Sequence, residues 1–396
     1  MKKIIIIGIS IAVFASCKKS SDTTTPPAST TTTQPATPAG GSFTNLHNFN
    51  DTNGGNPVGD LIIYNGLLYG MTQGDGSNYY GNIFSINTDG TGFKDMYDFT
   101  GSGTKGNSPV GDLTVYNGIL YGMTYQGGTG SGGVIFSINP TTDVYTVLSN
   151  FGTGTNNGYH PQGSLTVSST GLMYGTTSTG GTHGLGNIFS FNPAGNVYTN
   201  LYNFNAGGIE PISSLVLSGT VLYGTTYLGD PDNAGVVFSV NTDGSGYKAL
   251  YKFGGAKGQN PDGSLLLSGT TLYGMTNFGG NNADSVGNIY SVSTTGTAFK
   301  DILDFNGSNG SSPYGAFIIS GTTLYAMTTG GGSQGGGNVF SIDTTGSGFT
   351  NLVNFGLGGS PGAFPHGSLV LSNNVLYGMT HSAGPYGYGT IFSYAL

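Results

Sequence analysis

Arginine and tryptophan are absent from this 396-residue sequence, which contains one cysteine, Cys17, and one glutamate, Glu210. Charged residues amount to 7% of the chain, and ten lysines against eighteen acidic residues leave a formal charge of −8 at pH 7. Proteins that bind nucleic acid use clustered Lys and Arg to contact the phosphates. The sequence therefore predicts no nucleic-acid partner.

The lone cysteine follows a segment that is typical of an exported lipoprotein. Two lysines at the start precede an apolar run over 4–15, which is too short to span a bilayer. The residues Phe14-Ala15-Ser16-Cys17 then resemble a bacterial lipobox. We predict a signal peptide over 1–16 and a lipidated Cys17. A plain secretory peptide with a chance Cys is the alternative.

Lipidation would leave no free thiol, which excludes disulfides, Cys-metal sites and Cys nucleophiles. Residues 17–42 are rich in Ser, Thr and Pro, so we expect them to form a disordered tether. We expect an extracytoplasmic protein of the cell envelope, held by its lipid alone at the outer membrane of a Gram-negative cell. A periplasmic and a surface-facing orientation both remain open.

The region 43–396 repeats one unit seven times. Three marks recur in phase at intervals of 49 to 53 residues, a period typical of propeller blades or of a solenoid. The marks are a Tyr at 69, 121, 174, 223, 273, 325 and 377, a Pro at 57, 109, 161, 211, 261, 313 and 365, and an aromatic residue before Ser at 84, 136, 189, 238, 290, 340 and 392.

Each unit is predicted to form four short strands. In the first unit these cover 60–64, 67–72, 81–87 and 93–99. The turn Asn65-Gly66 between the first two suits a type I′ hairpin, which needs two positive φ angles. No segment shows helical periodicity of useful length.

The two ends of the repeat region predict a closed ring. The last unit stops after its third strand, whereas the chain begins with a fourth-type strand over 43–49, whose sequence closely matches 349–355. An open solenoid would need polar caps, and none is visible. We predict an all-β, seven-bladed β-propeller with four antiparallel strands per blade, closed by the N-terminal strand, and we expect a monomer.

The unit resembles the GloVer tandem repeat of exported bacterial proteins. Leu222–Thr226 (Leu-Tyr-Gly-Thr-Thr), Gly235–Ser239 and the doublets Gly127-Gly128 and Gly279-Gly280 carry the resemblance, which covers essentially all of 43–396. The unit is more distantly similar to kelch repeats. The resemblance implies a propeller and a secreted location, and it brings no catalytic residues.

Loop lengths divide the propeller into two unequal faces. The first-to-second and third-to-fourth connections are short turns, and we call their side the short-turn face. The second-to-third loops and the segments before each repeat Pro are long and varied, and they form the long-loop face. Ligands usually bind where loops meet on a rigid scaffold, so we expect a binding site there.

Aromatic side chains in these loops suit a sugar ligand, because a sugar's C–H face stacks on a ring while amides bond its hydroxyls. The alternative is that the rings pin the loops to the scaffold. The candidate ligand-binding aromatics are Tyr79, Tyr80, Tyr125, Tyr227, Phe278, Tyr386 and Tyr388, and Tyr159 is a further loop aromatic.

The residue after each repeat Pro is expected to point toward the mouth of the central channel. Asp262, Tyr314 and His366 hold three of these positions, and with His160 and His381 they could perform acid–base chemistry or hold a metal. Solvated loop residues are the alternative. Asp60 and Asp112 hold a position that is Ser in other repeats, where we expect caps of strand-entry turns. The other post-proline residues are Val58, Val110, Gln162 and Ile212.

Enzyme motifs fail in context. Gly-x-Ser-x-Gly occurs at Ser333 and Ser360 at about the frequency expected by chance, with no strand-to-helix turn. Glu210 has no carboxylate partner close in sequence for glycoside hydrolysis, although Asp262 one blade on stays open as a partner. We predict no cofactor, leaving calcium open at the acidic segments 51–54 and 229–233, neither of which fits a twelve-residue calcium loop.

These observations predict a non-catalytic binding module that contacts a glycan or a protein through its long-loop face. The loop aromatics favour binding. Two alternatives stay open: a structural or spacer role in the cell envelope, and a lyase or hydrolase acting on polysaccharide. Fold does not decide between them.

Overall fold

The computed structural model describes residues 40–101, 103–154, 157–229, 232–281, 284–358 and 361–396. The predicted signal peptide, Cys17 and nearly all of the predicted tether lie outside these residues. The described residues form β-strands and one short 3₁₀ turn, Gly255–Lys257. None of them forms a helix that could cross a membrane.

The strands assemble into seven four-stranded antiparallel sheets, the blades. The chain opens with β1 (Ser42–Asn48). Blade 1 contains β2 (Ile62–Tyr64), β3 (Leu67–Met71), β4 (Asn82–Asn87) and β5 (Lys94–Asp98). Blade 2 contains β6 (Thr114–Tyr116), β7 (Ile119–Thr124), β8 (Val134–Ile138) and β9 (Tyr145–Asn150). Blade 3 contains β11 (Thr166–Val167), β12 (Met173–Thr177), β14 (Asn187–Asn192) and β15 (Val197–Asn203), beside a small pair of β10 (Gly158–Tyr159) and β13 (Thr179–Gly180).

The remaining blades repeat this order. Blade 4 contains β16 (Val216–Ser218), β17 (Val221–Thr226), β18 (Val236–Asn241) and β19 (Lys248–Lys252). Blade 5 contains β20 (Leu266–Ser268), β21 (Thr271–Thr276), β22 (Asn288–Ser293) and β23 (Phe299–Asp304). Blade 6 contains β24 (Ile318–Ser320), β25 (Thr323–Thr328), β26 (Gly335–Asp343) and β27 (Thr350–Gly356). Blade 7 contains β28 (Val370–Ser372), β29 (Val375–Thr380) and β30 (Thr390–Ala395).

The first strand of the chain completes the last blade. β1 pairs antiparallel with β30, with Ser42 opposite Ala395 and Phe43 opposite Tyr394, so the sheet order is β1-β30-β29-β28. The predicted seven-bladed propeller, with four strands per blade and closure by the N-terminal strand, is confirmed.

Local sequence explains the repeated turn and the repeated glycine. Asn65 and Gly66 have φ angles of 50° and 80°, the two positive values that a type I′ turn requires. The glycine of the Leu-Tyr-Gly mark makes room for the strand-3 aromatic, since a Cβ on Gly70 would lie 2.6 Å from the ring of Phe84. Blade 6 has Ala326 at this position, where it is fully buried.

Aromatic pairs fill the space between neighbouring blades. A Phe after the fourth strand of one blade packs on the strand-3 aromatic of the next, with ring centroids 4.9–5.8 Å apart, and these rings are 0–1% exposed. The seven contacts close the ring, because the last joins the N-terminal strand to blade 1. The pairs are Phe99–Phe136, Phe151–Phe189, Phe204–Phe238, Phe253–Tyr290, Phe305–Phe340, Phe355–Phe392 and Phe49–Phe84.

Nearer the axis, a belt of hydrogen bonds links the first strands of adjacent blades. In six of the seven steps around the ring, the backbone N–H of a belt residue donates to the side-chain oxygen of the equivalent residue in the next blade, as Asp112 does to Ser164 at 2.7 Å. The side chains therefore accept backbone N–H groups at the strand entries, as expected of caps, but each N–H belongs to the equivalent residue of the preceding blade. The belt residues are Asp60, Asp112, Ser164, Ser214, Ser264, Ala316 and Ser368.

The belt has one gap and one carboxyl pair. Ala316 has no side-chain oxygen, so it donates to Ser368 but accepts nothing. At the closing seam Ser368 donates to Asp60, whose own N–H donates to Asp112 at 2.5 Å. Burial, and then the charge of Asp112, raise the pKa of the Asp60 carboxyl well above its usual range.

Truncating one interblade ring should destabilise the whole propeller. We expect Phe238→Ala to lower the free energy of unfolding by about 3–5 kcal/mol, because it empties a fully buried site beside Phe204. Chemical denaturation measures this. The matched control is Phe278→Ala, which removes the same atoms from a ring that is 44% exposed. Equal losses in the two variants would contradict the packing account.

Filling the belt gap should stabilise the ring. We expect Ala316→Ser to raise the free energy of unfolding by about 1 kcal/mol, because the new hydroxyl can accept the N–H of Ser264. We expect the control Ser368→Ala to lower it by about 1–3 kcal/mol, because the N–H of Ala316 loses its acceptor. Both values are measured by denaturant titration, and a destabilising Ala316→Ser change would contradict the belt.

The raised pKa of Asp60 predicts that the folded protein loses stability as pH rises. The folded protein holds the Asp60 proton more tightly than the unfolded chain, so its stability falls as pH rises above about 4. We expect Asp60→Asn, which keeps the acceptor for Ser368, to melt increasingly above wild type from that pH toward neutrality.

The control for this titration has the opposite sign. Hydrogen bonds from Thr91 lower the pKa of the exposed Asp89, so wild type should gain stability over Asp89→Asn as pH rises through the acidic range. A constant difference in melting temperature between wild type and Asp60→Asn would overturn the account.

Candidate functional site

An unusual backbone conformation recurs on the long-loop face. The residue before each repeat Pro has a positive φ of 49–59°, although none of the seven is glycine. Non-glycine residues seldom adopt this left-handed conformation, and it is concentrated at functional sites. We call these the pre-proline positions: Asn56, Ser108, His160, Glu210, Asn260, Ser312 and Phe364.

Backbone hydrogen bonds hold each pre-proline residue between two blades. Its N–H donates to a carbonyl in the loop of the preceding blade, as Glu210 does to Leu185 at 3.2 Å. Its carbonyl accepts from the residue that follows strand 2 of its own blade, as Glu210 does from Tyr227 at 3.0 Å. In blade 3 the same contact extends into the pair of β10 and β13. We call the donors the exit positions: Gln73, Tyr125, Ser178, Tyr227, Asn277, Thr329 and His381.

The same backbone frame carries different side chains in different blades. The pre-proline, post-proline and exit positions repeat in every blade, yet the side chains differ from blade to blade. Tyr125, Tyr227 and His381 therefore occupy one and the same repeat position, a relation that sequence reasoning missed. Asn277 and the frame role of Glu210 were also missed. The available signal was the variety of residues beside a recurring Pro.

The structure brings together most of the residues that the sequence predicts at the channel mouth. The rings of Tyr314 and His366 stack with centroids 4.5 Å apart, and His381 lies 5.0 Å from His366. The Nδ2 of Asn277 donates to Asp262 at 3.5 Å. His160 does not join this group and instead stacks on Tyr125 at 4.7 Å.

Tyr227 connects the two groups. Burial raises its pKa to about 12, and the neighbouring Asp262, Tyr314 and Glu210 add to the shift, so their side chains lie within electrostatic range of its hydroxyl. Burial and then Glu210 likewise raise the pKa of Tyr125. We call the continuous set the mouth arc: Tyr125, His160, Glu210, Tyr227, Asp262, Asn277, Tyr314, His366 and His381.

Burial controls the charges of the arc. It raises the pKa of Asp262 to about 7 and also raises that of Glu210. It lowers the pKa of His366 to about 3, helped by His381, and lowers those of His381 and His160. The histidines are therefore neutral near pH 7, and any charge on the arc comes from the carboxyl groups of Asp262 and Glu210.

Other predicted aromatics lie further out and differ in exposure. Tyr79 is 73% exposed and Tyr386 is 62% exposed, and Tyr80 and Phe278 are also exposed. Tyr388 instead packs against the backbone of blade 1, because a Cβ on Gly55 would lie 3.0 Å from its side chain. The loop-pinning alternative therefore describes Tyr388, and it also describes the covered side of Tyr80, because a Cβ on Gly101 would lie 2.2 Å from that ring. Tyr79 and Tyr386 are the most exposed of the predicted aromatics.

A polar cleft opens between blades 2 and 3. Its volume is about 350 Å³, and amide, hydroxyl and imidazole groups of Asn107, Gln126, Ser131 and His160 line it together with three glycines. Asn107 is only 8% exposed, and its Oδ1 has no hydrogen-bond partner among the described residues. The wall of the cleft thus contains a buried, unpartnered acceptor, and the cleft has no Asp, Glu or Lys in its lining.

The structure gives little support to the metal-binding and nucleophile motifs found in the sequence. The described residues contain no group of three or more His, Cys, Asp or Glu side chains that could hold a metal ion. Ser333 lies in a loop, where its N–H donates to Asn354 at 3.0 Å. Ser360, of the second Gly-x-Ser-x-Gly match, lies outside the described residues.

Several solved structures share the fold at low identity. An oligogalacturonate lyase from Vibrio parahaemolyticus is 10% identical, with a TM-score of 0.56 over 89% of this chain and 93% of that one. An oligogalacturonate lyase in complex with manganese is 10% identical, with a TM-score of 0.52 over 84% and 86%. A GH74 enzyme from Niastella koreensis is 15% identical, with a TM-score of 0.52 over 82% of this chain and 50% of that one. These likenesses show the propeller fold alone.

Sequence comparison identifies the repeat itself. Among curated proteins none matches this chain in sequence. The family model of the Gloeobacter/Verrucomicrobia repeat matches residues 32–231 and 205–392, which together span nearly the whole propeller. The recurring Leu-Tyr-Gly and Gly-x-Val-Phe-Ser marks, which build the strand-2 and strand-3 core of each blade, lie within these matches. The chain therefore belongs to the Gloeobacter/Verrucomicrobia repeat family.

Proposed function

We propose that this protein is an exported, lipid-anchored binding module of the cell envelope, whose long-loop face recognises a glycan. One observation carries the proposal: this face combines outward-facing aromatic rings with a polar, uncharged cleft. The lipobox-like residues before Cys17 support the anchor.

The exposed rings suit sugar stacking. Tyr79 and Tyr386 each leave more than half of their surface open to solvent on the long-loop face. Exposing such rings carries a hydrophobic penalty that a purely structural loop can avoid. A pyranose offers an apolar C–H face to a ring and hydroxyls to the Asn and Asp groups beside it.

The cleft suits the hydroxyls of a sugar. Its volume of about 350 Å³ falls within the range of small-ligand sites, about 300–1,000 Å³. Asn107, Gln126 and Ser131 supply both donors and acceptors, as hydroxyl groups require. The Oδ1 of Asn107 is buried without a partner in the cleft wall, so a ligand hydroxyl that reached it through a side-chain rotation would offset the cost of burying that atom.

The arrangement favours binding over the two alternatives. Among the described residues Asp262 makes no hydrogen bond to Tyr314 or His366, which stack instead, so the group forms no proton relay of the kind that a lyase or hydrolase would use. A spacer has no need for seven left-handed pre-proline positions with varied side chains, because such backbone strain is retained chiefly where it serves a site.

A glycan array tests the proposal directly. We expect residues 40–396, which contain every described strand, to bind a glycan saturably, and Tyr79→Ala/Tyr386→Ala to weaken binding about tenfold or more, since stacked rings make large contributions to sugar affinity. Asn107→Ala should weaken it through the cleft. The array is run with calcium and with chelator, which tests the calcium site left open above.

The matched control is Val144→Ala/Val197→Ala. These side chains are 59% and 54% exposed on the short-turn face, so their truncation should leave affinity unchanged. Equal melting temperatures exclude misfolding as the cause of any loss. Absence of binding to every glycan, with or without calcium, would reject the proposal and direct the search to a protein partner.

A further inference from the structure

Two carboxyl groups of the mouth arc lack a cationic partner. Asp262 is bonded by the neutral Asn277, and Glu210 is held by its backbone between blades 3 and 4. The ion pair that the described residues form is Lys94–Asp143, in another part of the propeller. Partly buried carboxylates are normally paired, and a cationic ligand would favour the ionised form of Asp262, whose pKa burial raises to about 7.

The neighbours of these carboxyls add acceptors and ring faces. The Oδ1 of Asn277, whose side chain is 1% exposed, has no hydrogen-bond partner among the described residues. Asp262 adds to the raised pKa of both Tyr227 and Tyr314, so the hydroxyls of these two aromatic residues lie within electrostatic range of its carboxyl. An ammonium group has three N–H donors and no acceptor, and it is attracted both by carboxylates and by aromatic faces.

Among the described residues, no lysine forms an ion pair with Asp262 or Glu210. The histidines of the arc are neutral near pH 7, because burial lowers their pKa values. Four lysines have other contacts: Lys94 pairs with Asp143, Lys248 and Lys300 bond carbonyls of distant turns, and Lys257 lies over Phe299. The two carboxyls therefore have no cationic side chain paired with them among the described residues.

The frame fixes these groups relative to one another. Tyr227 donates its N–H to the carbonyl of Glu210 at 3.0 Å and accepts from the side chain of Asn260 at 3.0 Å. Asn260 in turn accepts the N–H of Asn277 at 3.1 Å. The carboxyls of blades 4 and 5 are thus joined through backbone bonds, which makes the site preorganised.

We propose that Glu210, Tyr227, Asp262, Asn277 and Tyr314 form a subsite for the ammonium group of an amino sugar. The inference rests on the proposed glycan function and names its substrate class: a glycan with free amines. In this site the carboxylates and the Asn277 carbonyl accept the ammonium N–H donors, while the tyrosine rings face the cation.

Calorimetry with two matched tetrasaccharides tests the subsite. The ligands are glucosamine tetramer and N-acetylglucosamine tetramer, which differ in the amine charge and the acetyl group. Near neutral pH we expect residues 40–396 to bind the free-amine tetramer about tenfold or more tightly than the acetylated one. Glu210→Gln/Asp262→Asn, which keeps shape, should remove that preference and leave the weaker affinity for the acetylated tetramer unchanged.

The control variant is Asp243→Asn, which removes a negative charge from an exposed turn on the short-turn face. This variant should retain the preference for the free-amine tetramer. If it loses that preference as fully as the double variant does, the effect comes from net charge and the subsite is overturned. Equal wild-type affinity for both tetramers, or tetralysine binding as tightly as glucosamine tetramer, would also overturn it. If neither tetramer binds while another glycan on the array does, the ammonium subsite is rejected and the proposed glycan binding is retained.

Discussion

Each blade of this protein buries its aromatic core against the next blade, and the whole structure depends on that contact. The strand-3 ring of a blade is covered by a Phe contributed from the blade before it, as Phe84 is covered by Phe49. A blade that lost its neighbour would expose a ring that is now fully buried. The ring must therefore be complete, which is why the N-terminal strand is needed to finish blade 7.

The closed ring also allows the side chains on the long-loop face to differ from blade to blade. Backbone hydrogen bonds between blades hold the loops of the long-loop face. The pre-proline residue can therefore be Asn, Ser, His, Glu or Phe while the backbone conformation and its hydrogen bonds stay the same. Side chains from blades 2 to 7 can thus converge on one mouth while the blades remain alike. The backbone of the seven blades is alike, whereas the side chains on the long-loop face have no sevenfold symmetry.

Much of this architecture was predictable from sequence, because the core repeats in phase. The Leu-Tyr-Gly mark predicted the blades, and the match of 43–49 to 349–355 predicted the closure. The belt through Asp60 and Asp112 was not predictable as an interblade contact, because each donor and acceptor are one repeat apart and meet only in the folded ring. The left-handed pre-proline positions show no motif, since it is their backbone that repeats. Tyr388 looked like Tyr386, yet only the structure separates the packed ring from the exposed one.

The pairing of β1 with β30 also sets the orientation of the molecule. A fourth strand runs from the short-turn face to the long-loop face, so Ser42 lies at the short-turn face, beside Ala395 near the C-terminus. Both ends of the propeller thus leave from one side. The mouth arc and the exposed tyrosines belong to the long-loop face, so the described chain begins and ends on the face opposite to them.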